Sequence, residues 1–305
     1  MSNAESVRDL VGWLNQREFQ RAPVPETSSG AGDTFEHPLH IADNAVHSTY
    51  AGLQLGTLFQ PIVRGTTVIA HEALLTIGAT PVNTAQWRQH GNGDAAGTPQ
   101  DAQEIIYFDR LTRTLHTLNF LAQDARGDLH LNVDAHHLLA VTANHGHVFE
   151  QIIRQCGLHP ERIVLEIPEH SIRDKDRLHE AIAAWQSRRY RIAIDGFGQQ
   201  HAQLARVLAL RPDVLKIDGN FWQKQLGAPA SRQKLRETLD RIAERGIAVI
   251  LNGVDTAAAQ ESLVLSGIPL AIATQGDRVG IPQPWCHPQT IAAIDASPTR
   301  RQRSA

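Results

Sequence analysis

Residues Ala4–Gln20 carry Val7, Leu10, Val11 and Leu14 at helical spacing, with Glu5, Arg8, Asp9 and Arg17 between them, which predicts one amphipathic helix. Arg21–Asp33 (RAPVPETSSGAGD) is rich in Pro, Gly and Ser and reads as a linker. From about Gly52 the pattern becomes regular. Short apolar, β-branched runs at Leu58–Val63, Val68–Leu75, Leu129–Val133, Ile163–Ile167, Ile192–Asp195, Val214–Asp218, Ala248–Leu251 and Leu270–Ala273 read as strands. Helical windows lie between them. Asp101–Ala122 gathers Ile105, Phe108, Leu111, Leu115 and Leu118 on one face, and Asp176–Arg188 gathers Leu178, Ile182 and Trp185. Further helices fit Gln200–Leu210, Ala230–Arg245 and Thr256–Ser266. Eight strands alternating with helices predict an α/β fold, a parallel sheet closed as a TIM-like (β/α)8 barrel. The expected organisation is a helix and linker over 1–51, a barrel over 52–290 and a tail over 291–305.

Polar residues fall at the strand ends. Glu72 lies in HEALL, Asn132 in LHLNV and Glu166 in IVLEI, Asp195 follows RIAI, Lys216 and Asp218 lie in VLKID, and Asn252 follows AVIL. In a β/α barrel these ends converge on one mouth, where chemistry takes place. Three carboxylates and an amide form an all-oxygen set suited to Mg²⁺ or Mn²⁺, with Ca²⁺ a further candidate. A single such residue is explained as a helix cap or a surface acid. A series on successive strand ends is not.

Composition narrows the classes. Apolar residues make up 42% of the chain and charged residues 20%, enough to bury a large core. With 29 basic and 32 acidic residues the net charge is −3, which argues against binding a nucleic-acid polymer, and Arg300, Arg301 and Arg303 read as a solvated end. Cys156 and Cys286 are too few and too distant for a disulfide framework or a multi-cysteine zinc site, so the cytoplasm is the expected compartment. No membrane span or signal peptide is expected. Most of the sixteen histidines, among them His37, His40, His47, His116 and His287, are scattered without HExxH spacing, and His136-His137 and His145/His147 are the closest groupings. They read as surface or loop residues.

LFQPIV followed by HEALL resembles the opening of the EAL domains of bacterial cyclic di-GMP signalling. LNVDAHHLL, LEIPEHSI, AIDGFGQQHAQLARVLALRPDVLKIDGNF, ILNGVDT and QGDRVGIPQP are similar to that family's later motifs, in order, over about Gly52 to Pro284. The resemblance implies a modified β/α barrel with one antiparallel strand and hydrolysis of cyclic di-GMP to pGpG with two divalent cations. It implies Glu72, Asn132, Glu166 and Asp195 as ligands of the first metal and Lys216 as the residue that orients water. Glu169 matches the glutamate supporting the loop after Asp195, and Gln60 and Gln275 match glutamines that contact the nucleotide or the site.

This sequence departs from the pattern at decisive positions. Gly196 stands where the family has a second aspartate, and Asn252 where it has the glutamate proposed as general base. Thr76 replaces an arginine that forks onto phosphate, and Gly-Gln-Gln at 198–200 replaces Gly-Thr-Gly. The resemblance therefore implies a degenerate member with at most one weak Mg²⁺ or Mn²⁺ site, without significant phosphodiesterase activity. Such a domain senses cyclic di-GMP with reduced affinity or regulates a protein partner, and the family pattern admits a homodimer. The alternative is a weak metal-dependent phosphodiesterase in which Asp255 serves as the base.

Overall fold

The computed structural model describes residues 3–19, 38–82, 102–123, 125–133, 145–155, 157–171, 175–199, 203–269 and 272–288. The expected linker, the tail over 291–305, Cys156, His136 and His137 lie outside the described residues. The strands are β1 (Leu39–Ala42), β2 (Ala45–Tyr50), β3 (Leu53–Arg64), β4 (Thr67–Ile77), β5 (Thr80–Val82), β6 (Asp128–Asn132), β7 (Ile163–Pro168), β8 (Arg191–Phe197), β9 (Val214–Ile217), β10 (Ala248–Leu251) and β11 (Ala273–Thr274). The helices are α1 (Asn3–Arg17), α2 (Ala102–Ala122), α3 (His145–Gln155), α4 (Lys175–Ser187), α5 (Leu204–Ala209), α6 (Gly219–Leu226), α7 (Pro229–Ala243) and α8 (Ala257–Leu265).

The sheet runs β1-β2-β3-β11-β10-β9-β8-β7-β6-β4-β5, and pairing of β3 with β4 closes the middle eight strands into a barrel. Seven barrel strands are mutually parallel, while β3 is antiparallel to both β4 and β11. Seven of the eight barrel strands coincide with runs predicted from the sequence. The last, Ala273–Thr274, meets the predicted Leu270–Ala273 only at Ala273, and residues 270–271 lie outside the described set. Three strands and two helices were not anticipated: β1, β2 and β5, and α3 and α6. Asp218, read as a strand-end residue, is instead the N-cap of α6, where its Oδ1 accepts from the N–H groups of Asn220 and Phe221.

The barrel interior follows from strand alternation. Ile62, Ala70, Val164, Ala193, Val214, Ile250 and Ala273 form a buried apolar layer. Successive side chains of a strand point to opposite faces, so residues two apart share a face. Two positions towards the mouth from each member of that layer stand Gln60, Glu72, Glu166, Asp195, Lys216, Asn252 and Gln275. The apolar layer is thus the floor of a polar site. Between the sheet and its helices lies the main core, which includes Phe59, Phe120, Ile153, Leu165, Trp185, Ile194, Trp222 and Leu251.

A second core forms where α1 docks on α2 and the β1–β2 hairpin. It buries Val7, Val11, Leu14 and Phe19 against Tyr50, Tyr107, Phe108, Leu111 and Leu115. Each such apolar side chain contributes about 1.5–3 kcal/mol. Two asparagines clasp the hairpin. Asn15 Nδ2 donates to Leu39 O at 2.7 Å while Leu39 N donates to Asn15 Oδ1 at 3.1 Å. Asn119 engages both backbone groups of Val46 in the same way, at 2.8 Å each.

Candidate functional site

Lys216, on β9, is the centre of the polar layer and is 1% exposed. Its Nζ donates to Glu72 Oε2 at 2.7 Å and to Glu166 Oε2 at 2.8 Å, and stands 3.8 Å from Asp195 Oδ1. Asn132 Nδ2 donates to Glu72 Oε1 at 2.9 Å. Gln275 Nε2 donates to Glu72 Oε2 at 2.6 Å and to Gln60 Oε1 at 3.2 Å. Six strands thus deliver Glu72, Asn132, Glu166, Lys216, Gln275 and Gln60 into one hydrogen-bonded network, with Asp195 beside it. Glu169 sits at the start of a short 3₁₀ turn after β7, and its Oε2 accepts from the N–H of Gly198 at 3.1 Å, tying down the loop that follows Asp195.

The two substituted positions have local roles of their own. Gly196 has a left-handed backbone, φ +74°, and the Gln199 side chain lies over it, with Cδ and Oε1 each 3.0 Å from where a Cβ would be. Gln199 Nε2 also donates to Asp218 Oδ2 at 3.2 Å, so an amide covers the place of the second carboxylate. Asn252 turns its Oδ1 back onto the N–H of Gly253 at 2.7 Å, while its carbonyl accepts from the indole of Trp222 at 2.8 Å. Asp255 Oδ1 accepts from the N–H of Asp277 at 2.9 Å.

Sequence reasoning missed two residues here. His130 is buried beneath Asn132, with Nδ1 2.6 Å from Glu166 Oε1. Alternation along LHLNV could have found it, because residues 130 and 132 share a face. No sequence signal pointed to Gln199.

A model of the EAL domain matches residues 44–277. The chain belongs to the EAL domain family. The uncharacterized EAL-domain containing protein YkuI of Bacillus subtilis is 33% identical over 103 residues, covering 32% of this chain and 25% of that protein. The probable cyclic di-GMP phosphodiesterase PdeA of Escherichia coli is 27% identical over 142 residues, 44% of this chain and 18% of that protein. The matches thus span only a quarter or less of these curated relatives. Among solved structures, the YkuI protein in complex with cyclic di-GMP and calcium superposes with a TM-score of 0.62 at 21% identity, covering 77% of this chain and 57% of that one. The EAL domain of FimX from Pseudomonas aeruginosa, bound to cyclic di-GMP, gives 0.60 at 19% identity, covering 80% and 93%. At these identities the superpositions establish the fold.

The electrostatics of this EAL site follow from three carboxylates around one ammonium in a buried space. Burial opposes the charge on Lys216, but Asp195, Glu166 and Glu72 together drive its pKa up, so the ammonium is permanent. Burial pushes the Glu72 carboxyl up, yet attraction and hydrogen bonding by Lys216, with help from Asn132 and Gln275, outweigh it and hold the group at about 2. Burial and the neighbouring Glu72 charge raise Glu166 to about 8. Burial raises Asp195 to about 6, against the pull of Lys216. Burial, with the Lys216 charge nearby, holds His130 down at about 3, so at neutral pH a neutral imidazole shares one hydrogen bond with Glu166 Oε1.

The donors at this mouth are all oxygens, the chemistry a hard cation takes. Asp195 Oδ1 and Gln275 Oε1 are buried oxygens with no hydrogen-bond partner among the described residues. The remaining donors, on Glu72, Asn132 and Glu166, are also oxygens. Among the described residues no three His, Cys, Asp or Glu side chains converge as a ready-made cage, and the ammonium of Lys216 lies among the carboxylates.

A pH dependence follows. The carboxyls of Glu166 and Asp195 titrate above their ordinary values, so the folded state binds these protons more tightly than the unfolded chain. Their stabilisation is complete at low pH and is lost as pH rises through about 6 and about 8. The buried histidines His71, His116 and His130, lowered to about 4, 3 and 3, slope the other way only below their ordinary pKa. In EDTA the protein should therefore lose on the order of 2 kcal/mol of stability from about pH 6.5 to 9. Denaturation in urea across that range measures it, and a flat or rising profile contradicts the assignment.

Proposed function

We propose that this chain is a degenerate EAL domain that binds cyclic di-GMP without significant hydrolysis and acts as a nucleotide sensor. The observation that carries the reading is the pair of substituted positions. Gly196 offers no ligand atom, and the Gln199 amide lies over it. Asn252 is a neutral amide that cannot take a proton, and its oxygen is hydrogen-bonded to Gly253. Glu72, Asn132, Glu166 and Asp195 would hold a single Mg²⁺ or Mn²⁺. A divalent cation there supplies positive charge against a phosphodiester. Lys216 orients Glu72 and Glu166, while Gln275 donates to the same Glu72 Oε2 and to Gln60 Oε1.

Thr76 is buried at the arginine position, so affinity for the nucleotide is reduced. Asp255 as a replacement base is disfavoured because its carboxylate already holds the backbone at Asp277. In this reading the output passes to a protein partner, or through a homodimer, in the cytoplasm. No helix among the described residues is long and apolar enough to cross a membrane.

Isothermal titration with cyclic di-GMP in Mg²⁺, run beside chromatographic detection of pGpG, tests the proposal. Saturable binding with no product is expected. Turnover that Glu72→Ala abolishes would overturn the non-catalytic reading, and absence of binding would overturn the sensor.

A further inference from the structure

The apolar floor of the barrel has one exception. Ile62, Ala70, Val164, Ala193, Val214, Ile250 and Ala273 supply it from seven of the eight barrel strands. On the eighth, β6, the residue two positions below Asn132 is His130, the cross-strand neighbour of Val164. It is 3% exposed. A polar ring enclosed among aliphatic side chains costs free energy unless it is hydrogen-bonded. The bond it makes runs towards the mouth, from Nδ1 to Glu166 Oε1 at 2.6 Å.

Glu72 and Glu166 divide their oxygens in the same way. Oε2 of each faces Lys216 Nζ, at 2.7 and 2.8 Å, and Asp195 Oδ1 stands 3.8 Å from the same nitrogen. Three oxygens from three strands therefore face one positively charged point. Oε1 of each glutamate is held from the side, that of Glu72 by Asn132 Nδ2 at 2.9 Å and that of Glu166 by His130. Residues 130 and 132 share a face of β6, so one strand supplies both anchors. Each anchor fixes the plane of its carboxyl and with it the direction of Oε2. An ionised carboxylate only accepts, so towards it the imidazole presents Nδ1–H. Donors placed behind a metal ligand in this manner orient it and stabilise its charge.

We propose that His130 is a positioning residue of the cation site. By holding Glu166 Oε1 it keeps Oε2 turned to the point shared with Glu72 and Asp195, and so sets the affinity of this chain for a divalent cation. The inference rests on the single-cation part of the reading above and goes beyond it, because it assigns affinity to a residue that touches no cation. A histidine that merely filled the floor would do a task that leucine does as well, since the other seven members are aliphatic.

Titration of the full chain with Mn²⁺, followed by loss of the free-ion signal in electron paramagnetic resonance, tests this without nucleotide. Binding that Glu72→Gln abolishes belongs to this site. His130→Leu, which completes the apolar floor but has no donor, should weaken that binding about 10–100-fold. His130→Asn, whose amide nitrogen can take the place of Nδ1, should recover most of the loss. Mn²⁺ affinity within twofold of the parent in His130→Leu overturns the proposal and leaves the one-cation reading intact. Equal weakness of the leucine and asparagine variants also overturns it, since packing and not the donor would then be the cause. A parent that takes up no Mn²⁺ at Glu72 overturns the proposal and the cation reading together. The expected pattern in a chain that binds no cyclic di-GMP supports His130 while sinking the sensor.

Discussion

Replacing Lys216 by methionine should cost about 3–5 kcal/mol of stability in metal-free buffer at pH 8, because one member of a buried ion cluster is removed and the rest are left uncompensated. The ammonium is the shared partner of Glu72 and Glu166, at 2.7 and 2.8 Å, and faces Asp195 at 3.8 Å. Without it, the buried charge of Glu72 is left uncompensated, and Glu166 and Asp195, no longer held down by the ammonium, must take up protons. The cost should shrink towards pH 5, where that uptake is no longer unfavourable. Millimolar Mn²⁺ should recover much of the loss at pH 8, because a cation placed among the oxygens does the same electrostatic work. Denaturation curves with EDTA and with Mn²⁺ read both effects. A variant as stable as the parent in EDTA at pH 8 would show that the carboxylates are not held together by Lys216.

The second large effect is a gain of function. Gly196→Asp combined with Asn252→Glu supplies a ligand carboxylate and a proton acceptor, and the new side chain at 196 meets the end of the exposed Gln199 side chain. A Cβ at position 196 would lie 3.0 Å from Cδ and Oε1 of Gln199, so the new carboxylate competes for space with that amide. The left-handed backbone at φ +74° adds about 1–2 kcal/mol of strain, which aspartate tolerates better than most residues. Adding Gln199→Thr removes the amide. The triple variant should hydrolyse cyclic di-GMP on the order of 10³-fold faster than the parent, and measurably faster than the double variant. Chromatography of pGpG measures this. A double variant as active as the triple would show that Gln199 is no barrier. A triple variant as inert as the parent would mean that the defect lies outside these positions.

The barrel was legible because its strands are buried on both faces, which leaves largely apolar runs such as IVLEI and AVIL with a polar residue near or just past the C-terminal end. The site was legible for the same reason, since Glu72, Glu166 and Lys216 interrupt those runs at equivalent depth. The hairpin β1–β2 was not, because one of its faces is polar and His40, His47 and Thr49 alternate with only a few apolar residues. Helix α6 was hidden by its opening Gly-Asn, poor helix formers whose start depends on the Asp218 cap. The position of Gln199 could not be read at all. It depends on a left-handed turn and on the bare Cα of a residue three positions earlier, neither of which leaves a periodic trace.

The reversal of β3 has a topological consequence. In a barrel whose strands all run the same way, the chain enters at the end opposite the functional loops. Here β3 is antiparallel to both neighbours, so the polypeptide arrives through the functional end. Whatever precedes β3 is therefore delivered to the polar mouth of the barrel, where the hairpin is fastened by Asn15 and Asn119. A pull or twist applied to the N-terminal helix would reach the rim of the site through a few residues of sheet, without crossing the barrel.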